Sequence, residues 1–322
     1  MNEESVLHDR LPNWLLLLGP FLVLGALLAG VYLTSPFGDI EEMADAGMLT
    51  ILWMLTYIGA IAGIVPVLIG MLWYPYLRRL GDVWIHAVLA LSVGVLTFAG
   101  VEMTEGILDN AAEAANPFGE ALGIAGVPIT GLIVGILGTG VAFGVLMYVS
   151  RWRYNKISAD GNISGIHVAY LVAIGLGLHS IGEGLAIGTA FIQGEERLVM
   201  LLVIAFLLDN ITEGPTIVAA VASDTEQPPL SKFLLMGAIA GGPVIIGGWI
   251  GGFAESALLA ALFFGLGLGA IIQVIYEVLK FIGVQKGSSV RAAITQMNII
   301  AFVVGFLIMV VIDEIIIEMF LL

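Results

Sequence analysis

An all-α bundle that crosses a membrane many times is the fold this sequence predicts, and three observations predict it. Of 322 residues, 59% are hydrophobic and only 11% are charged. Mean hydropathy is +1.05, whereas soluble domains carry about 25% charged residues. Apolar runs of about 18 residues or more, the length that crosses a bilayer as a helix, recur along the whole chain. They are continuous rather than alternating with period two, which disfavours a β-barrel.

Nine spans follow, at about 13–33, 48–74, 83–108, 122–150, 163–192, 197–222, 231–253, 257–281 and 292–321. The first runs from Trp14 to Tyr32; it exceeds a signal-peptide core and lacks a clear small-residue cleavage pattern, so it reads as a helix. Trp14, Trp73, Trp84 and Trp152 fall near span ends, as interfacial anchors do. The many glycines suit close helix approach. Connections are short, with no soluble domain between them. The absence of cysteine excludes a disulfide framework and any thiolate metal site. A net charge of −15 is no nucleic-acid signature.

Basic residues orient the bundle, because they prefer cytoplasmic loops. With nine spans and the N-terminus inside, the inner segments hold Arg10, Arg78, Arg79, Arg151, Arg153, Lys156, Lys232, Lys280, Lys286 and Arg291. The outer segments hold only Arg197. The C-terminus is then outside, and the expected location is a plasma or cell membrane. The outer loops are acidic, with Asp39, Glu41, Glu42 and Asp45 in one and Asp109, Glu113 and Glu120 in another. Such a face raises the local cation concentration.

Few ionisable groups remain at membrane depth. They are Glu102, Glu105, His179, Glu183, Asp209, Glu213 and Glu277, with His86 and His167 near inner ends. Each costs roughly 2.5–3.5 kcal/mol on insertion scales, so such residues usually mark a pathway or site. His179 and Glu183 lie near the middle of the fifth span, and Asp209 and Glu213 near the middle of the sixth. Each pair is four residues apart, which places it on one helix face. Arg197, Lys232 and Lys280 stand at or near span ends, so no lysine or arginine at mid-depth neutralises these carboxylates. Three carboxylates together repel unless they are protonated or share a cation. A divalent ion resolves the repulsion and offsets the burial cost.

The two spans also echo each other. His179-Ser180-Ile181-Gly182-Glu183-Gly184 and Asp209-Asn210-Ile211-Thr212-Glu213-Gly214 share the form x-x-Ile-x-Glu-Gly. Pro215 then removes a backbone hydrogen bond beside the site and frees a carbonyl near Asn210 or Ile211.

HSIGEG at 179–184 and DNITEG at 209–214 resemble the two motifs of the ZIP (Zrt/Irt-like) family of divalent metal transporters. The glycine-rich GLGLGAIIQVIYEVLK at 265–280 resembles that family's seventh helix, with a late acidic residue. The likeness covers about residues 48–321. It implies a transport domain at 46–322 of eight helices in a 3+2+3 inverted repeat: a first repeat at 48–150, metal-binding helices at 163–222 and a second repeat at 231–321. Residues 1–45 would be an additional N-terminal helix and acidic loop. The resemblance further implies uptake toward the cytoplasm, often as a homodimer, with His179, Glu183, Asp209, Asn210 and Glu213 as ligands. This sequence departs from the family pattern at Ser180, where asparagine is frequent, and at Asp209, where histidine or glutamine is. Gly242 replaces a sixth-helix glutamate, so one metal is expected rather than two. The inner loop 151–162 lacks the histidine cluster of many members.

One imidazole with carboxylates suits Zn²⁺, Fe²⁺, Mn²⁺ or a neighbour, carried as substrate with no organic cofactor. The absent thiolates argue against Cu⁺, thioethers such as Met103 being the soft donors that remain. Glu102 and Glu105 are candidates for the entrance, and His86, His167 and Glu277 for the exit. Two rivals fit less well. An intramembrane metal-dependent hydrolase usually needs several histidines, and only His179 lies at mid-depth. A proton- or sodium-coupled carrier of organic solutes, with the carboxylates relaying protons, lacks a basic residue at depth to pair an anionic substrate. No lysine stands at mid-membrane to bind retinal. The expected protein is therefore not an enzyme, and its partners are divalent metal ions and the lipid bilayer.

Overall fold

In the computed structural model, the residues described are 11–34, 40, 43, 47–124, 126–157, 165–222, 227–253, 256–285 and 290–321. Arg10, Asp39, Glu41, Glu42, Asp45, Lys286 and part of the 151–162 loop lie outside them, as do the side chains of Arg153 and Lys156. The described residues are mostly helical, with no strand among them. The helices are α1 (Asn13–Thr34), α2 (Met48–Gly59), a π-helical turn (Ala60–Ile64), α3 (Val65–Met71), α4 (Tyr74–Leu77) and α5 (Asp82–Glu113). After these come α6 (Pro117–Ala121), α7 (Ile129–Ile157), α8 (Gly165–Ile192), α9 (Glu196–Ala222) and α10 (Leu230–Gly241). The last are α11 (Pro243–Phe253), α12 (Ala257–Gln285) and, after a 3₁₀ turn at Val290–Ala293, α13 (Gln296–Leu321).

Among the described residues, eight stretches are long and apolar enough to cross a membrane, and the chain is an integral membrane protein on that ground. The ninth expected span is α13, whose apolar part among the described side chains is the shorter Gln296–Ile312. The fourth span begins at 129 rather than about 122. Asn116 explains the shift: its Oδ1 accepts from the Gly119 N–H at 3.2 Å, the Thr130 N–H at 3.1 Å and the Thr130 hydroxyl at 3.1 Å. Its Nδ2 donates to Val127 O at 2.6 Å. One side chain thus closes a compact turn over residues whose apolar character resembles a helix.

Three prolines shape the interior. Each lacks the N–H that would bond the carbonyl four residues earlier, and each orphaned carbonyl meets another helix. Pro66 releases Ala62 O inside the π turn, where Val65 N–H bonds Ala60 O instead; Ala62 O accepts from Asn210 Nδ2 on α9 at 3.2 Å. Pro215 releases Ile211 O, which rests against Gly70 of α3 so closely that a Cβ there would overlap it. Pro243 releases Ile239 O, which rests in the same way against Gly177 of α8. The expected loosening at Pro215 therefore takes a specific form: α9 stays continuous through it, and the freed oxygen is covered by a neighbouring backbone.

The helices sort into two packing groups. α2–α3, α8, α9 and α10–α11 form one; α5, α7, α12 and α13 form the other. Their seam runs mainly along α8 and α12, with α9 against α5. Consecutive helices of 48–150 are accordingly split between groups. α1 sits on α3 and α4, fixed by Trp73 Nε1 donating to Leu17 O at 2.8 Å and by Phe21 edge-on to Trp73 at 4.8 Å.

Candidate functional site

α8 and α9 are consecutive antiparallel helices joined by a short turn in which Gly194 has a φ of 70°. Both are apolar enough to lie in hydrocarbon, so any polar side chain at their centres needs a partner within the protein. The i,i+4 spacing brings His179 and Glu183 onto one face of α8, and Asp209 and Glu213 onto one face of α9. Those faces meet. Ligand atoms from the four residues lie within 4.8 Å of one another. His179 Nε2 is 3.3 Å from Glu183 Oε1 and 3.7 Å from Asp209 Oδ2.

The cluster is nearly sealed, with His179 1%, Glu183 2%, Glu213 3% and Asp209 7% exposed. Yet both His179 ring nitrogens, Glu183 Oε1 and Glu213 Oε2 are buried without a hydrogen-bond partner. The close approaches among them are not aligned as hydrogen bonds. Buried polar atoms are rarely left so, and here several orphaned atoms share one cluster. Two like charges about 4 Å apart repel by roughly 4 kcal/mol at an effective dielectric near 20. Arg197, the one basic residue of α8 and α9 other than histidine, starts α9 about 18 Å along the axis from Asp209. The arrangement is chemically able to hold a divalent cation through one imidazole nitrogen and carboxylate oxygens.

Asn210 joins this cluster through its amide nitrogen, donating to Glu183 Oε2 at 2.8 Å as well as to Ala62 O. Ser180 turns away and donates to Leu176 O at 2.9 Å. Met103 on α5 and Phe264 on α12 approach α8 beside the cluster, across the seam. The space a Cβ would take on Gly182 is 3.5 Å from Met103 Sδ and 3.3 Å from Phe264 Cε1, and on Gly267 it is 3.0 Å from the same sulfur and 3.3 Å from His179 Cα. Phe264 carries no sequence signal for this position, being one phenylalanine of 15.

The remaining predicted residues lie apart. Glu102 is half-buried on α5. Glu105 is exposed at a cleft of about 430 Å³ between α5 and α12, with Gly100, Thr104, Leu268 and Ile271 among its walls. His86 is buried about 25 Å along α5 from Met103, and His167 is half-buried in the first turn of α8, about 18 Å from His179. Glu277 lies about 15 Å along α12 from Gly267. It accepts from the Ser150 hydroxyl of α7 and pairs with Lys280 Nζ at 3.9 Å, so it ties α7 to α12.

Comparison with protein-family models finds no match, and comparison with curated proteins finds none either.

Proposed function

We propose that this protein carries divalent transition-metal ions across the membrane, taking Zn²⁺, Fe²⁺, Mn²⁺ or a similar ion toward the cytoplasm through one midplane site. The observation that carries this reading is the sealed group of His179, Glu183, Asp209 and Glu213, whose orphaned ligand atoms lie within 4.8 Å of one another. The resemblance of HSIGEG and DNITEG to the ZIP motifs supports it, and with it a ZIP-like inverted-repeat core preceded by an additional helix. Oxygen-rich ligation with a single imidazole argues against soft-metal preference and favours borderline and hard divalent ions. Gly242 supplies no sixth-helix carboxylate, which keeps the site mononuclear.

Transport proceeds by alternating access at that site. The two packing groups, with the cluster on α8 and α9 and with Met103 and Phe264 beside it on α5 and α12, are the natural moving parts. The basic inner segments set the N-terminus on the cytoplasmic side. The test is uptake of radiolabelled Zn²⁺ or Mn²⁺ into proteoliposomes. Glu183→Ala and Glu213→Ala each abolish it; full uptake in both variants rejects the reading.

A further inference from the structure

Asn210 stands between two acceptors. Its Nδ2 donates to Glu183 Oε2 at 2.8 Å and to Ala62 O at 3.2 Å. The residue is fully buried, and its Oδ1 has no partner. The two contacts take both amide protons, so the orientation of the group is set: exchanging oxygen and nitrogen would turn three oxygens on one another. A ligand role through Oδ1 needs no such arrangement. A donor role does.

The second acceptor exists only because of a proline. Ala62 O would bond the N–H of residue 66 in an ordinary helix, and Pro66 has none. The chain winds as a π turn at that point, a feature frequent at functional sites. Glu183 is then divided. Oε2 is held by Asn210, while Oε1 faces His179 at 3.3 Å with no hydrogen bond. One oxygen is linked through Asn210 of α9 to the helix that contains the π turn, and the other is left for a cation.

Resting on the transport reading above, we infer that Asn210 is a positioning residue rather than a metal ligand: its amide ties Glu183 to the proline-freed carbonyl of Ala62 and so couples cation capture to the interrupted helix α2–α3. Without the tie four ligand groups still surround the cation, but the interrupted helix no longer follows the loaded carboxylate. Affinity is therefore spared and turnover is not.

Two variants of the full chain test this, with Mn²⁺ as the probe. Asn210→Asp keeps the shape and an acceptor but leaves at most one O–H donor in place of two N–H donors, so it cannot bridge Glu183 and Ala62 O. Pro66→Ala replaces no cluster residue; it restores an N–H that recaptures Ala62 O within the helix, a change that helices favour. Calorimetric binding in detergent and saturating uptake in proteoliposomes are read side by side. Hydrogen bonds to charged groups are worth about ten- to a hundredfold, so both variants transport at about one-tenth of the wild-type rate or less. Asn210→Asp binds no more weakly than wild type, and Pro66→Ala binds within about threefold. The double variant is no slower than the slower single one, because both act on one link. Wild-type turnover in Pro66→Ala overturns the inference, and so does wild-type turnover in Asn210→Asp. A fall in affinity with normal saturating uptake overturns it in favour of a ligand role. A wild-type protein that binds and moves no divalent ion overturns the transport reading itself, before any variant is compared.

Discussion

His179 Nε2 lies 3.7 Å from Asp209 Oδ2, across the contact between two antiparallel helices. Neither helix offers enough ligands alone; together they present an imidazole and three carboxylates at one level. The first expectation is stoichiometric. Titration with Zn²⁺ or Mn²⁺ gives one ion per chain, and Glu183→Gln weakens binding by more than about a hundredfold, since losing even groups that merely orient a ligand costs about 10–100-fold. Two ions per chain would contradict the mononuclear site.

Protons compete for the same oxygens. Carboxylate and imidazole bind a metal only when deprotonated, so acid weakens binding and each ion bound displaces protons. Calorimetry in buffers of differing ionisation enthalpy detects that release. A binding enthalpy identical in all buffers and an affinity flat with pH would show that these residues are not the ligands.

Exchanging the one nitrogen ligand shifts the preference among ions. His179→Asp leaves oxygen alone, which suits Mn²⁺, Mg²⁺ and Ca²⁺ better than Zn²⁺. In competition uptake the ratio of Mn²⁺ to Zn²⁺ rises by about tenfold or more, taking about 1.4 kcal/mol of lost zinc preference. An unchanged ratio would place the imidazole outside the coordination sphere.

Gly70→Val drives a side chain into Ile211 O and into Pro215 Cδ, which a Cβ would already approach to 3.0 Å. Overpacking of this kind destabilises by about 1–3 kcal/mol. The control is Gly140→Val on the outer face of α7, where a Cβ meets nothing within 4 Å. Thermal unfolding in detergent shows a lowered midpoint for the first and little change for the second. Equal midpoints would mean that α3 and α9 do not approach as described.

The cluster was legible because it rests on local spacing. His179 with Glu183 and Asp209 with Glu213 each sit four apart on a helix, and hydrocarbon surroundings make any buried carboxylate conspicuous. The helices were legible from apolar length alone, except where a polar side chain acts at a distance: nothing near Leu122 announces that Asn116 will close a turn onto Thr130. The partner of Asn210 was hidden for a different reason. Ala62 contributes a backbone oxygen, which no residue type advertises, and it lies 148 residues away in sequence. Pro66 was visible as a letter, but which helix its freed carbonyl would meet is a property of packing. The division of 48–150 between two groups was hidden in the same way, because consecutive spans share no seam that their hydropathy reveals.

The three freed carbonyls limit how these rods can travel past one another. Greasy surfaces slide cheaply, but a shift of one helical turn, about 5.4 Å, would strip Ala62 O of its amide donor at a penalty of several kcal/mol and would take the other two oxygens off the glycines that give them room. α3 is thus keyed to α9, and α10 to α8, at fixed heights, and on the transport reading any displacement that carries a cation swings each pair as one piece instead of ratcheting its members singly.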